Sequence, residues 1–202
     1  CTCLVGSEMC IRDSGRGAEI VETTAGDPCV AVRLEMDSAA GKRMSLVVAA
    51  VHLPAGEAAS GVRQRILKRL LSSVKKREER WVFLGDFNPS LDDEVQTLCK
   101  TLDLQEAKYT GVSWNAPGNR FYDEVKKSGG KRYDRVLFSK QVWAETHLVG
   151  QGKIYFDGQE FSFSDHCGLL VYLDVSAVYA SRASADLTCL LYTSPSPRDK
   201  CR

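Results

Sequence analysis

The stretch Trp81-Val82-Phe83-Leu84-Gly85-Asp86-Phe87-Asn88 decides the architecture that we expect for this chain. Its four bulky apolar residues predict a strand that is buried on both faces and stops at the glycine. Because residues i and i+2 of a strand point the same way, Asp86 and Asn88 are expected together at the edge of a sheet. A carboxylate beside a carboxamide can orient a water molecule and hydrogen-bond a phosphate oxygen. The simpler alternative is a turn that only caps the strand, since Gly, Asp and Asn are ordinary turn residues.

The flanking sequence predicts an α/β sandwich with one long helix between two of its strands. Further strands are predicted over residues 29–36, 45–51, 133–138, 143–150 and 168–175, with helices over 58–79 and 92–102 and an irregular connection over 103–130. The apolar residues of the first helix are expected to share one buried face. Its basic residues are expected on a solvated face, with nucleic-acid contact as the alternative: Arg63, Arg65, Lys68, Arg69, Lys75, Lys76 and Arg77.

Length and charge are those of one globular domain. The 202 residues are enough to bury a sizeable core, and the net charge of +1 argues against a strongly basic nucleic-acid coat. No apolar run approaches the length that a membrane-spanning helix needs. We therefore expect a monomer without a membrane segment.

The two ends of the chain stand apart because one DNA sequence can encode both. Residues 4–14 and 189–198 correspond to the two strands of that sequence, read in different frames. This relation resembles a transposase-type sequencing adapter on either side of an insert, and such segments are set aside in fold reasoning. We expect adapter-derived artefacts over 1–14 and 188–202 with no defined place in the core, a partial domain over 15–175 and a tail over 176–187.

Setting the ends aside leaves three of the eight cysteines, namely Cys29, Cys99 and Cys167. Three scattered cysteines are typical of a reduced, intracellular protein. We therefore expect an intracellular location.

Further polar residues stand at the ends of predicted strands. His52 follows the strand over 45–51, Asp134 begins the strand over 133–138, and Asp165-His166 precede the last strand. Each one alone is an ordinary cap or a satisfied polar group. Together with Asp86 and Asn88 they predict a catalytic cluster at one edge of the sandwich.

These residues, in this order, resemble the endonuclease/exonuclease/phosphatase superfamily, which is also called DNase I-like. The matching motifs are His52-Leu53, Gly85-Asp86-Phe87-Asn88, Tyr133-Asp134-Arg135-Val136 and Ser164-Asp165-His166. The resemblance covers about residues 19–175 and implies a four-layered sandwich of two mixed β-sheets flanked by helices, here without its N-terminal part. The motifs around Asp134 and His166, with Val112-Ser113-Trp114, look most like the 5′-tyrosyl-DNA phosphodiesterases.

The resemblance implies metal-assisted attack of water on a phosphoester, with Mg²⁺ as cofactor and Mn²⁺ as the alternative. It gives Asp86 the task of orienting or deprotonating the water, and Asn88 a hydrogen bond to the phosphate. His166, held in its tautomer by Asp134, would stabilise charge on the phosphoryl oxygens. His52 would contact the phosphate.

Two further roles follow from the same resemblance. Asp165 is expected to bind the metal ion, and Trp114 to stack on a base or a tyrosyl ring, with a loop anchor on the core as the equal alternative. The family also carries an Asn and a metal-binding Glu in its N-terminal strands, and neither has a match here. We therefore expect a fragment with weak activity or none.

The expected partner is single-stranded or 5′-terminal DNA, which would place a DNA-repair hydrolase of this kind in the nucleus. Two departures from the tyrosyl-DNA phosphodiesterase pattern keep other substrates open: Pro54-Ala55 stands where that group has Glu-Ser, and Pro89-Ser90 where it has an Arg. The alternatives are an abasic endonuclease, an RNA nuclease, an inositol or lipid phosphatase, a degenerate non-catalytic binding module, and a purely structural domain.

Overall fold

The structure, a computed structural model, describes residues 2–4, 9–12, 17–21, 29–37, 43–74, 80–89, 92–114, 130–151, 154–161, 164–175 and 189–193. Two helices occur in this part of the chain, α1 (Ser60–Val74), which follows a 3-10 turn over Glu57–Ala59, and α2 (Asp92–Leu102). The strands are β1 (Thr2–Leu4), β2 (Met9–Arg12), β3 (Gly17–Val21), β4 (Cys29–Asp37), β5 (Arg43–His52), β6 (Arg80–Asp86), β7 (Leu104–Glu106), β8 (Asp134–Ser139), β9 (Trp143–Val149), β10 (Ile154–Phe156), β11 (Gln159–Phe161), β12 (Gly168–Asp174) and β13 (Cys189–Thr193).

A six-stranded mixed sheet carries the residues of interest. Its order is β3-β4-β5-β6-β8-β7, and β5 and β6 form its parallel pair. Parallel neighbours need a crossover connection, and α1 lies in that connection. The register sets His52 opposite Asp86, and Asp86 opposite Asp134 on the other side. Three polar residues therefore stand in a row across one edge of the sheet.

A second sheet packs face to face on the first. Its order is β1-β2-β13-β12-β9, and all its described pairings are antiparallel. The core between the sheets takes alternate residues of β4, β5, β6 and β8 from one side and of β12 from the other. Leu46, Val82 and Leu169 are among its fully buried members. This packing of inward-facing residues is that of a β-sandwich.

The helices cover the outer face of the six-stranded sheet. Ile66, Leu67 and Leu70 of α1, with Val95 and Leu98 of α2, pack on the side chains of β4, β5 and β6 that point away from the other sheet. The central strands β5 and β6 are therefore buried on both faces, which explains their nearly continuous apolar sequence. Within the described residues no helix is long and apolar enough to cross a membrane.

The α/β sandwich predicted from the sequence is confirmed, with corrections in detail. Of the two sheets that pack face to face, one is mixed, whereas the described pairings of the other are antiparallel, and β10 and β11 form a separate two-stranded sheet. The first helix begins at Ser60, and residues 75–79 lie outside the described part. The connection after α2 is not wholly irregular, since β7 forms there and pairs with β8, and residues 115–129 lie outside the described part.

The prediction for Arg63 is wrong. Its side chain has no exposed surface, whereas Val62, which was expected in the apolar face, is 37% exposed. The helix is rotated so that Arg63 shares a face with Ile66 and Leu67. That arrangement is allowed because the guanidinium donates four hydrogen bonds in the interior, two to the Glu94 carboxylate and two to backbone carbonyls.

The two chain ends contribute strands to the second sheet. β13 pairs with β12 and with β2, and β2 pairs with β1. The side chains of these three strands lie outside the described part, so their expected exclusion from the core stays a prediction. The tail predicted over 176–187 and the boundaries of the partial domain also stay predictions.

Candidate active site

The site begins where β6 ends, and Gly85 sets its geometry. Gly85 has a φ of +131°, and a Cβ at this position would lie 2.2 Å from the backbone oxygen of Val51. Only glycine permits so close an approach of β5 and β6 in that conformation. Asn88 is also left-handed, with a φ of +44°, and asparagine tolerates this region better than most residues.

The Asp86 carboxylate is held from its own turn. Its Oδ1 accepts a hydrogen bond from the backbone N–H of Asn88 at 2.8 Å, and its Oδ2 accepts one from Asn88 Nδ2 at 3.0 Å. The same Nδ2 donates to the carbonyl oxygen of Leu53 at 2.9 Å. Both amide hydrogens of Asn88 are therefore used inside the protein. The phosphate contact expected of Asn88 stays a prediction, and it requires one of these bonds to be exchanged.

The expected hydrogen bond between Asp134 and His166 is present. His166 Nδ1 lies 2.8 Å from Asp134 Oδ2. Asp134 is itself fixed through its backbone, because its N–H donates to Ser113 Oγ at 3.1 Å and its carbonyl accepts from the Tyr109 hydroxyl at 2.8 Å. A carboxylate bonded to Nδ1 orients the ring and leaves Nε2 for a substrate.

The pKa values of Asp86 and His166 differ from the ordinary values of these side chains. Burial, then the neighbouring Asp134 carboxylate, raises the pKa of Asp86 to about 6, although His166, Asn88 and His52 act in the opposite direction. Burial alone would lower the pKa of His166, but the hydrogen bond and charge of Asp134, with the charges of Asp86 and Asp165, raise it to about 9. Near neutral pH the cluster therefore pairs a carboxylate that protonates readily with an imidazolium ion.

His52 stands at the open side of the row. Its Nε2 lies 3.7 Å from Asp86 Oδ2, and its side chain is 55% exposed. The structure thus brings His52 to the same cluster as Asp86. An exposed imidazole in this place is free to meet an anion, and its expected phosphate contact stays a prediction.

Trp114 and Asp165 join the cluster from the loops. Trp114 Nε1 donates to Asp165 Oδ2 at 3.3 Å, and its backbone forms bridges with Lys131 and with His166. Its ring lies against that of Tyr133, with centroids 5.2 Å apart and a tilt of 31°. Burial and the Asp86 charge raise the pKa of Tyr133. Trp114 is therefore anchored beside the site, and stacking on a substrate stays a prediction.

The expected metal site at Asp165 stays a prediction. In the described part of the chain no group of three or more His, Cys, Asp and Glu side chains is arranged to hold a metal ion. Asp165 accepts hydrogen bonds from Trp114 Nε1 and from Ser164 Oγ, the latter at 3.2 Å. A cation at Asp165 would need further oxygen ligands, which other carboxylates, water or a substrate phosphate can supply.

Sequence reasoning missed the residues that hold the cluster in place. Ser113 is fully buried and connects two strands, since its Oγ accepts from Asp134 N–H and its carbonyl from Cys167 N–H at 2.6 Å. Tyr109 was not singled out at all. A serine or tyrosine in a loop gives no periodic signal, so contacts between distant segments could not be read from the chain. Arg63 did carry a signal, because it stands three and four residues before the apolar Ile66 and Leu67.

Comparison with known proteins shows likeness in structure only. No protein-family model matches the chain, and no curated protein matches its sequence. The chain is similar to the crystal structure of beta toxin from Staphylococcus aureus, with a TM-score of 0.51 and 18% identity, over 70% of this chain and 56% of that one. It is similar to TDP2 from Caenorhabditis elegans, with a TM-score of 0.51 and 14% identity, over 93% of this chain and 58% of that one.

The chain therefore shares the fold of these two proteins. The chain spans a little more than half the length of each of these two proteins. At such identities the likeness carries the fold alone, and the chemistry must be argued from the cluster of Asp86, Asp134 and His166.

Proposed function

We propose that this chain is part of a phosphodiesterase that hydrolyses a phosphoester by attack of water. The observation that carries the proposal is the juxtaposition of Asp86 with the Asp134–His166 pair at one sheet edge. A carboxylate with a pKa of about 6 is suited to accept a proton near neutral pH. An imidazolium beside it is suited to stabilise negative charge.

In the proposed reaction Asp86 accepts a proton from water as the water oxygen attacks phosphorus. The new P–O bond forms as the bond to the leaving alkoxide or phenoxide breaks. His166 faces the charge that develops on the non-bridging oxygens, and Asp134 holds its ring in place. His52 supplies a further contact to the phosphate from the open side.

We further propose that the substrate is DNA with a 5′-phosphotyrosyl end and that turnover needs Mg²⁺ or Mn²⁺. Support comes from the motifs around Asp134 and His166, from the aromatic pair Trp114–Tyr133 beside the cluster, and from the likeness in fold to TDP2. The function would be DNA repair, in the nucleus. Because the metal-binding Glu and the Asn that the resemblance implies have no match in this chain, we expect it to show weak activity or none.

The test is a substrate panel with the purified chain in excess. A 5′-phosphotyrosyl oligonucleotide, an abasic duplex, an RNA oligonucleotide and a phosphoinositide are each incubated with Mg²⁺, with Mn²⁺ and with a chelator. We expect slow release of tyrosine from the first substrate, lost with the chelator and with Asp86→Asn. Preference for another substrate would reassign the substrate class. Binding that is unchanged by Asp86→Asn, with no turnover of any phosphoester, would contradict the proposal and indicate a binding module.

A further inference from the structure

Arg63 is a buried arginine whose hydrogen bonds reach beyond its ion-pair partner. Its Nε and Nη2 each donate to one carboxylate oxygen of Glu94 at 2.7 Å. Its Nη1 donates to the carbonyl oxygens of Pro54 and Gly56, at 2.7 and 2.9 Å. Nε and Nη2 thus bind helix α2, whereas Nη1 binds the turn that follows His52. A planar fork of this kind is specific to arginine.

That turn is in contact with the site. The backbone N–H of Leu53 donates to the carbonyl of Asp86 at 2.8 Å. The carbonyl of Leu53 accepts from Asn88 Nδ2, which also donates to the Asp86 carboxylate. A short chain of hydrogen bonds therefore runs from Arg63 through residues 53–56 to the side chain of Asp86.

We propose that the Arg63–Glu94 ion pair positions Asp86 for catalysis by fixing the turn over residues 53–56. The inference rests on the proposed function of Asp86 and deepens it. Arg63 and Glu94 touch neither water nor substrate in this scheme, so they are positioning residues.

Energetic reasoning favours this role over simple stabilisation of the helix packing. A buried ion pair is weak evidence for stability, because desolvation of both charges offsets most of their attraction. An apolar residue could occupy this buried position at least as well, as Leu67 and Leu70 do further along the same helix. What apolar residues cannot supply is the donor for two carbonyls in a turn where Gly56 has a φ of +92°.

The test compares variants that separate positioning from stability. Arg63→Met combined with Glu94→Leu removes both charges together, so no unpaired charge is left buried, but it also removes the donors to Pro54 and Gly56. Arg63→Lys keeps a positive charge opposite Glu94 but lacks the planar set of N–H donors of the guanidinium. Leu70→Ala, on the same helix and far from the turn, serves as the control for lost stability, and unfolding temperatures are measured for all.

The first measurement does not depend on activity. The side-chain amide of Asn88 gives its own pair of signals in a ¹H–¹⁵N NMR spectrum. We expect these signals to shift, and their hydrogens to exchange faster with water, in both Arg63 variants but not in Leu70→Ala. Unchanged Asn88 signals in the Arg63 variants would overturn the proposal, even if the unaltered chain hydrolysed none of the substrates and the proposed function had failed.

The second measurement is turnover of the substrate that the panel identifies. A misplaced base lowers kcat, and a displacement of about 1 Å can cost on the order of 100-fold. We expect kcat to fall at least tenfold in the Arg63→Met/Glu94→Leu variant with little change in KM, and Arg63→Lys to lie between that variant and the unaltered chain. Equal kcat in the double variant and in Leu70→Ala would assign the ion pair to stability alone and contradict the proposal.

Discussion

Asp86 is the residue whose surroundings matter most for the chemistry. It is a carboxylate with only 16% of its side chain exposed, next to the second carboxylate of Asp134. Both features disfavour its ionised form, and carboxylates with raised pKa values are common at catalytic sites. Two consequences of this pKa can be measured, one on activity and one on stability.

The first prediction concerns the acid side of the pH–rate profile. Because the base must be ionised, kcat/KM should fall tenfold per pH unit below about pH 6, the pKa of Asp86. An ordinary aspartate would place this limb near pH 4. The profile is measured between pH 4.5 and 7.5 under conditions where the chain stays folded. A flat profile across that range would show that Asp86 does not act as the base.

The second prediction concerns the stability of Asp86→Asn. A raised folded-state pKa contributes stability below pH 3.8 that is lost as the pH rises through about 6, so the ionised carboxylate is unfavourable at neutral pH. The shift corresponds to about 3 kcal/mol at most, and disturbance of the bond from Asn88 Nδ2 offsets part of it. We expect Asp86→Asn to unfold at a higher temperature at pH 7.5 and to show no such gain at pH 4. A lower unfolding temperature at pH 7.5 would contradict the assignment.

The sequence was sufficient to predict which polar residues converge and which of them pair. Strand ends placed Asp86, Asp134 and His166 in one expected cluster, and the family resemblance implied that Asp134 holds His166. The hydrogen bond between those two side chains is present. The internal use of both amide hydrogens of Asn88 was not predictable. It depends on the carbonyl of Leu53, which the parallel register brings from a strand more than thirty residues away.

At the scale of secondary structure, the parallel pair β5–β6 carries the site. The register sets His52 beside Asp86, and the close approach at Gly85 lets the two strands keep that register to their ends. An added methyl group would meet the backbone of Val51, which cannot move without shifting β5.

The third prediction is that Gly85→Ala damages both stability and activity. The positive φ strains any side chain, and relief of the clash separates His52 from Asp86. We expect the free energy of unfolding to fall by about 2 kcal/mol or more and turnover to be lost. The matched control is Gly61→Ala in α1, where an added Cβ meets nothing within 4 Å and helix propensity favours alanine by about 0.5–1 kcal/mol. Chemical denaturation measures the free energy of unfolding of both variants. A Gly85→Ala variant as stable as the unaltered chain would contradict the close approach of β5 and β6.

Helix α1 shows why the apolar pattern of an element does not fix its rotation. Val62 and Arg63 exchange the places that hydrophobicity assigns to them. The reason lies outside the helix, since Glu94 and the carbonyls of residues 54 and 56 compensate the buried guanidinium. Periodicity identified the helix and most of its buried face, but it cannot reveal partners on other elements.

At the scale of the whole molecule, the six-stranded sheet, its helix layer and the site form one connected unit. The hydrogen bonds that build the site join residues between His52 and Cys167. Among the described residues, β1, β2 and β13 pair with one another and with β12 in the second sheet. The strand pattern of the interior was predictable because burial on both faces leaves a continuous apolar run. It was not predictable that the two chain ends form strands of the second sheet, because those residues were interpreted as adapter sequence.

The fourth prediction is that a chain of residues 15–175 keeps the site. Removal of residues 1–14 and 176–202 takes away none of the described hydrogen bonds of the cluster. We expect the Asn88 side-chain amide signals and any turnover of the full chain to persist. If the Asn88 signals collapse on trimming, the end strands support the site and the interpretation of these ends as structurally dispensable is wrong.

The most direct test of the central claim is a single-turnover reaction in ¹⁸O-labelled water. The chain is held in excess over the 5′-phosphotyrosyl oligonucleotide with Mg²⁺, and both products are analysed by mass spectrometry. Attack of water on phosphorus with Asp86 as base predicts one ¹⁸O atom in the 5′-phosphate, none in the released tyrosine, and no product above background for Asp86→Asn. Label in the tyrosine, or product formation by Asp86→Asn at the rate of the unaltered chain, would contradict the account.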